Sequence, residues 1–155
     1  MVSVEISNME LALAQLFAHV CNLGQHLAHA IYFEPRAPSL RVDVLKAAAE
    51  EAMRVIPRHY APSALSEDDK ANRQQQLSRV RGIISGAKSA LGKRNELMHA
   101  TWSVTIETNQ VHRESVDEVL ERGGKPVPIQ ELNDLIRAIR TVIDEIVDYT
   151  GEEVF

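Results

Sequence analysis

The chain has 155 residues and one cysteine, Cys21, so no disulfide can form within it and a reducing compartment is the expected setting. Aromatic residues make up only 5%, so the core is expected to be aliphatic, with Cys21 as a buried helix residue. No apolar run approaches the roughly 20 residues of a membrane-spanning helix. The N-terminus lacks the basic region and small-residue cleavage site of a signal peptide, so a cytoplasmic location is expected. His26-x-x-His29 has no Cys, Asp or Glu at a supporting spacing, so neither a metal centre nor a cofactor is expected. There is no internal repeat and no low-complexity segment. What remains is an ordinary globular balance, 45% hydrophobic and 25% charged, read as a single domain over 1–155.

The most informative absence is of acid. From Lys70 to Asn95 the chain has seven cations (Lys70, Arg73, Arg79, Arg81, Lys88, Lys93 and Arg94) and no Asp or Glu, although the net charge of the whole is −5. A basic helix of this kind is the footprint of a phosphate-bearing ligand. It is equally the pattern of a helix that pairs with acidic neighbours in its own chain or in a partner.

Periodicity places four main helices. Met9, Leu13, Leu16, Val20, Leu23, Leu27 and Ile31 recur at helical spacing from a cap at Ser7 or Asn8 to Tyr32, with Gly24 interrupting the stripe without ending it. A second helix starts at Ser39 after Pro38 and buries Leu45, Ala49 and Ala52. Pro57 and Pro62 then bound a loop containing Arg58, His59 and Tyr60. Ser66 followed by Glu67, Asp68 and Asp69 opens a third helix that runs to about Ala100. Its glycines, Gly82, Gly86 and Gly92, either bend it or admit close packing. Trp102, Val104 and Ile106 alternate with polar residues, and a β-hairpin is expected before the last helix, Ile129 to Tyr149. The expected fold is mainly α, an antiparallel four-helix bundle with a small β-hairpin between the third and fourth main helices.

The chemistry concentrates at the end of the third helix, in Lys93-Arg94-Asn95-Glu96-Leu97-Met98-His99. Asn95 and His99 are four apart and share a helical face. Arg94 falls inside the apolar stripe of Val80, Ile83, Ile84, Ala87, Ala90 and Leu91. A guanidinium stays charged, so there it must be paired or face a wet cleft. One explanation is an interior Arg bonded to a carboxylate or to carbonyls, with His99 packing near the helix end. The other is an anion site in which Arg94 grips phosphate, Asn95 orients it and His99 moves a proton.

Arg94-Asn95-x-x-x-His99 resembles the signature of the HEPN superfamily, and Trp102 soon after the His is similar to what small bacterial members carry. The resemblance implies a helical bundle that works as a homodimer with two motifs facing each other. It implies metal-independent endoribonuclease activity on RNA, in some members as the toxin of a toxin–antitoxin pair, with Arg94, Asn95 and His99 as catalytic residues. Lys88, Lys93 and Trp102 are the expected substrate-binding residues beside them. Some members of that superfamily bind nucleotides or serve as scaffolds, so a non-catalytic nucleotide-, RNA- or protein-binding module is the alternative.

Overall fold

A computed structural model describes residues 2–54, 66–99, 101–105, 110–114, 125–126 and 129–151. The described chain is mainly helical and forms a bundle. Its helices are α1 (Val2–Cys21), α2 (Gln25–Phe33), α3 (Pro38–Arg54), α4 (Glu67–His99) and α5 (Ile129–Thr150). Between α4 and α5, β1 (Thr101–Thr105) pairs antiparallel with β2 (Gln110–Glu114), and β2 with β3 (Lys125–Pro126). The expected loop of Arg58, His59 and Tyr60 lies outside the described residues.

The single first helix of the sequence reading is in fact two. Asn22 takes a left-handed φ of 51°, and the Leu23 N–H reaches back to the Ala18 carbonyl at 2.9 Å. This closes α1 in the manner that Gly or Asn permits. Gly24 is extended and starts α2, its carbonyl accepting from the Ala28 N–H at 3.0 Å. The break re-aims the apolar stripe. Ala28 and Tyr32 are buried, whereas Leu27 and Ile31, expected inside, are exposed. The start also differs, because α1 begins at Val2 and the Ser7 hydroxyl donates back to the Ser3 carbonyl at 3.0 Å instead of capping. Cys21, expected buried, is half-buried at the end of α1, and burial raises its thiol pKa.

Helix α1 is the centre of the bundle. Ala12 through Ala18 are all buried, the mark of a helix covered on every side, and α1 packs on α2, α3 and α5. Met9, Leu13 and Leu16 meet Leu45 of α3, Ile83 of α4 and Ile139 and Ile146 of α5 in one cluster. Truncating one of these to Ala costs about 2–5 kcal/mol. Arg41 ties the α2–α3 corner to this centre. Its Nη1 donates to Glu10 Oε1 at 2.8 Å and its Nε to the Pro35 carbonyl at 2.8 Å, and the guanidinium lies over the Phe33 ring.

Two ion pairs give the direction of α3 against α4. Arg81 meets Glu50 and Lys88 meets Asp43, so positions fall on α3 as they rise on α4, and the helices are antiparallel. Arg79 with Asp148, and Gly86 against Val142, show the same for α4 and α5. Helix α1 departs from the expected all-antiparallel arrangement. Glu5 meets Arg140 and His19 meets Tyr149, so α1 and α5 run parallel. These two helices are far apart in sequence, so no short connection forces them to reverse.

The 33-residue α4 begins as its sequence requires. The Ser66 hydroxyl accepts from the Asp69 N–H at 3.1 Å, and the Asp69 carboxylate accepts from the Ser66 N–H at 3.2 Å. The same Ser66 contacts hold the Asp69 carboxyl below its ordinary range. Among the described residues no helix is long and apolar enough to cross a membrane.

Candidate functional site

Helix α4 buries Val80, Ile83, Ile84, Ala87, Ala90, Leu91 and Leu97 along one stripe. Arg94 sits where that stripe next reaches the surface and is half-buried, while Asn95 beside it is exposed. The Arg94 Nη1 donates to Asn95 Oδ1 at 3.0 Å. That amide is neutral. No described carboxylate lies within ion-pair distance of Arg94, and the amide carbonyl oxygen of Asn95 is its acceptor among the described residues. His99 is the last residue of α4, one helical turn beyond Asn95 on the same face by backbone position. Trp102 follows as the second residue of β1, across from Arg113. The side chains of His99 and Trp102 lie outside the described residues.

The basic run is used differently from end to end. Lys70 pairs with Glu67 at 2.6 Å, Arg79 with Asp148, Arg81 with Glu50 at 3.2 Å and Lys88 with Asp43 at 2.5 Å. The last three of these hold α4 against α3 and α5. Lys88, expected to hold substrate, thus has its ammonium on an α3 carboxylate. Arg73, Lys93 and Arg94 have no ion pair among the described residues, and two of these three flank the start of the motif.

Lys93 opens onto a cavity of about 160 Å³ between the end of α4 and the start of α5, lined also by Glu96, Leu97, Glu131, Asp134 and Leu135. Three carboxylates against one ammonium make this cavity unsuited to phosphate. Among the described residues no group of three or more His, Cys, Asp or Glu is placed to hold a metal ion. His26 is exposed, and the His29 ring packs edge-on against Phe33 at 5.8 Å.

A second polar cavity, of about 310 Å³, lies at the other end of α4, lined in part by His19 of α1 and Tyr149 of α5. By helical spacing His19 falls only at the edge of the α1 apolar stripe. Nothing in the sequence links it to Arg79 and Tyr149, which are brought beside it by the parallel packing of α1 and α5. Comparison of the chain with protein-family models, with curated proteins and with solved structures gives no match.

Proposed function

We propose that the protein is a metal-independent endoribonuclease whose site is Arg94, Asn95 and His99, acting as a homodimer with two motifs across one cleft. The observation that carries this reading is the state of Arg94. Its charge is held beside an apolar stripe, bonded to a neutral amide and to no described carboxylate, and an external anion would complete its pairing. In the reaction the RNA 2′-oxygen attacks the adjacent phosphorus, the bond to the 5′-oxygen breaks, and a 2′,3′-cyclic phosphate and a 5′-hydroxyl end result. His99 transfers a proton, from the attacking hydroxyl or to the leaving oxygen. Arg94 stabilises the charge that develops on the phosphorane oxygens. Asn95, already bonded to Arg94, fixes the plane of the guanidinium. Lys93 and Trp102 are the adjoining substrate contacts, and the paired strands β1 and β2 are read as the hairpin that carries Trp102 past the motif. As a nuclease of this kind the protein fits the toxin role, with an antitoxin protein to silence it in the cytoplasm.

The test is cleavage of single-stranded RNA by purified protein in a chelator. His99→Ala is expected to lower the rate about 10²–10⁴-fold with the fold intact, and DNA, which lacks the 2′-hydroxyl, is expected to resist. Cleavage that survives His99→Ala would end this reading.

A non-catalytic module that binds a nucleotide or a partner protein is favoured by one observation. Four of the seven cations in the run are already in ion pairs and three carboxylates line the cavity beside Lys93, so the field available to draw in a polyanion is local to the motif. A folded dimer that binds RNA or nucleotide through Arg94 without turnover would establish this alternative.

A further inference from the structure

The cavity between α1, α4 and α5 has the composition of a recognition site. Among the described residues it is lined by His19, Asn72, Gln75, Gln76, Arg79 and Tyr149, none of them a carboxylate. Asn72, Gln75 and Gln76 stand at spacings of three and four on α4, so their side chains share one face of the helix. None of the three amides bonds to another described side chain. Opposite them are two rings, His19 and Tyr149, edge to face with centroids 5.5 Å apart. The Arg79 guanidinium lies 5.4 Å from the Tyr149 ring centre, anchored by its ion pair with Asp148.

We propose that this cavity binds a nucleobase, packed against the near-perpendicular His19 and Tyr149 rings, face to one and edge to the other, and read at its edge by the amides of Asn72, Gln75 and Gln76. The chemistry is specific to that class. Side-chain amides match the paired donor and acceptor of a base edge, above all adenine. Aromatic rings and an arginine plane supply the stacking by which unpaired bases are held. A volume of about 310 Å³ is at the small end for ligand pockets and suits a base with its sugar. Burial raises the Tyr149 pKa against the lowering effect of Arg79, so the phenol stays a neutral donor. Arg79 and Arg94 are 15 positions apart on α4, or about 22 Å. The base site is therefore separate from the Arg94 site, and the proposal stands whether or not that site cleaves RNA.

The base can belong to a free nucleotide or to an unpaired strand. The experiment follows the side-chain amide resonances of Asn72, Gln75 and Gln76 by NMR during titration with adenosine 5′-monophosphate, ribose 5-phosphate and a ten-nucleotide oligoadenylate. The monophosphate or the oligonucleotide is expected to shift these resonances, and ribose 5-phosphate is not. Shifts with the monophosphate identify a mononucleotide site, and shifts with the oligonucleotide alone identify a strand site. Tyr149→Leu is expected to weaken binding by about tenfold or more. The exposed pair Gln75→Ala with Gln76→Ala, which improves helix propensity, is expected to weaken it with the fold retained. Arg94→Ala is expected to leave the monophosphate shifts unchanged. Equal shifts from ribose 5-phosphate, no shift from any of the three, or loss of the monophosphate shifts in Arg94→Ala would overturn the proposal.

Discussion

Lys88 Nζ lies 2.5 Å from Asp43 Oδ1, on the seam where α4 crosses α3. Two turns away on the same seam Arg81 meets Glu50, and across α4 Arg79 meets Asp148. The acid-free stretch of α4 is thus largely a means of holding it between two acid-bearing helices. Lys88→Ala is expected to cost less than about 1 kcal/mol, because both partners are solvated, and to leave RNA cleavage unchanged. If Lys88 gripped phosphate instead, the variant would show a raised KM and a salt dependence shallower by about one unit of slope. Steady-state rates at several salt concentrations check this.

The three glycines of α4 separate in the same way. A Cβ on Gly86 would lie 3.0 Å from Val142 Cγ2, whereas one on Gly82 or Gly92 would meet nothing within 4 Å. Val142 is buried and β-branched, so it has little freedom to yield. Gly86→Ala is expected to lower stability by about 1–3 kcal/mol. Gly82→Ala is expected to raise it by up to about 1 kcal/mol through helix propensity and a more restricted unfolded chain. Urea midpoints of the two variants should move in opposite directions.

The contrast between these glycines shows what the sequence could tell. It could say that α4 contains three residues able to admit a neighbour, but which one does so depends on Val142, 56 positions away. The ion pairs were illegible for the same reason, since Arg81 and Lys88 find partners 31 and 45 residues distant. Local signals were read well. Ser66 and Asp69 cap α4 as their spacing requires, and the stripe from Val80 through Leu91 is buried, although Arg94, expected inside it, is only half-buried. The break after α1 was misread because Gly24 drew attention, while the left-handed residue is Asn22. That misreading put Leu27 and Ile31 inside.

Tyr32 sets an alkaline limit. Its ring is fully buried between Phe17 and Phe33, and burial, then Glu10, push its pKa well up, with Arg41 opposing. A phenol pKa raised in the folded state keeps its full contribution to stability below the unfolded value of about 10. Above it, the unfolded chain ionises first and stability falls. Tyr149, also raised, adds to the same limb. Stability against urea is expected to be insensitive to Tyr32 from neutral pH to about pH 10 and to drop beyond it. Tyr32→Phe should flatten that drop, and an equal drop in the variant would assign it to other groups.

Arg41 and Arg94 give the sharpest comparison, because both are arginines at the edge of the core with different partners. The Arg41–Glu10 pair is largely shielded, with side-chain exposures of 15% and 19%, and Arg41 also holds the Pro35 and Arg36 carbonyls. Arg41→Ala leaves Glu10 without its cation and is expected to cost about 3 kcal/mol or more. Arg94 gives up only its bond to the Asn95 amide, so Arg94→Ala is expected to cost under about 1 kcal/mol. Its effect should fall on ligand and rate. Phosphate or nucleotide should raise the Tm of the parent protein, the part of that shift due to the motif should vanish in Arg94→Ala, and RNA cleavage should vanish with it. Arg94→Lys should fail in cleavage too, because an ammonium has no fork to match two phosphate oxygens. A large stability loss in Arg94→Ala with no change in anion-dependent Tm would make Arg94 a second Arg41, a structural charge, and remove the basis of the nuclease reading.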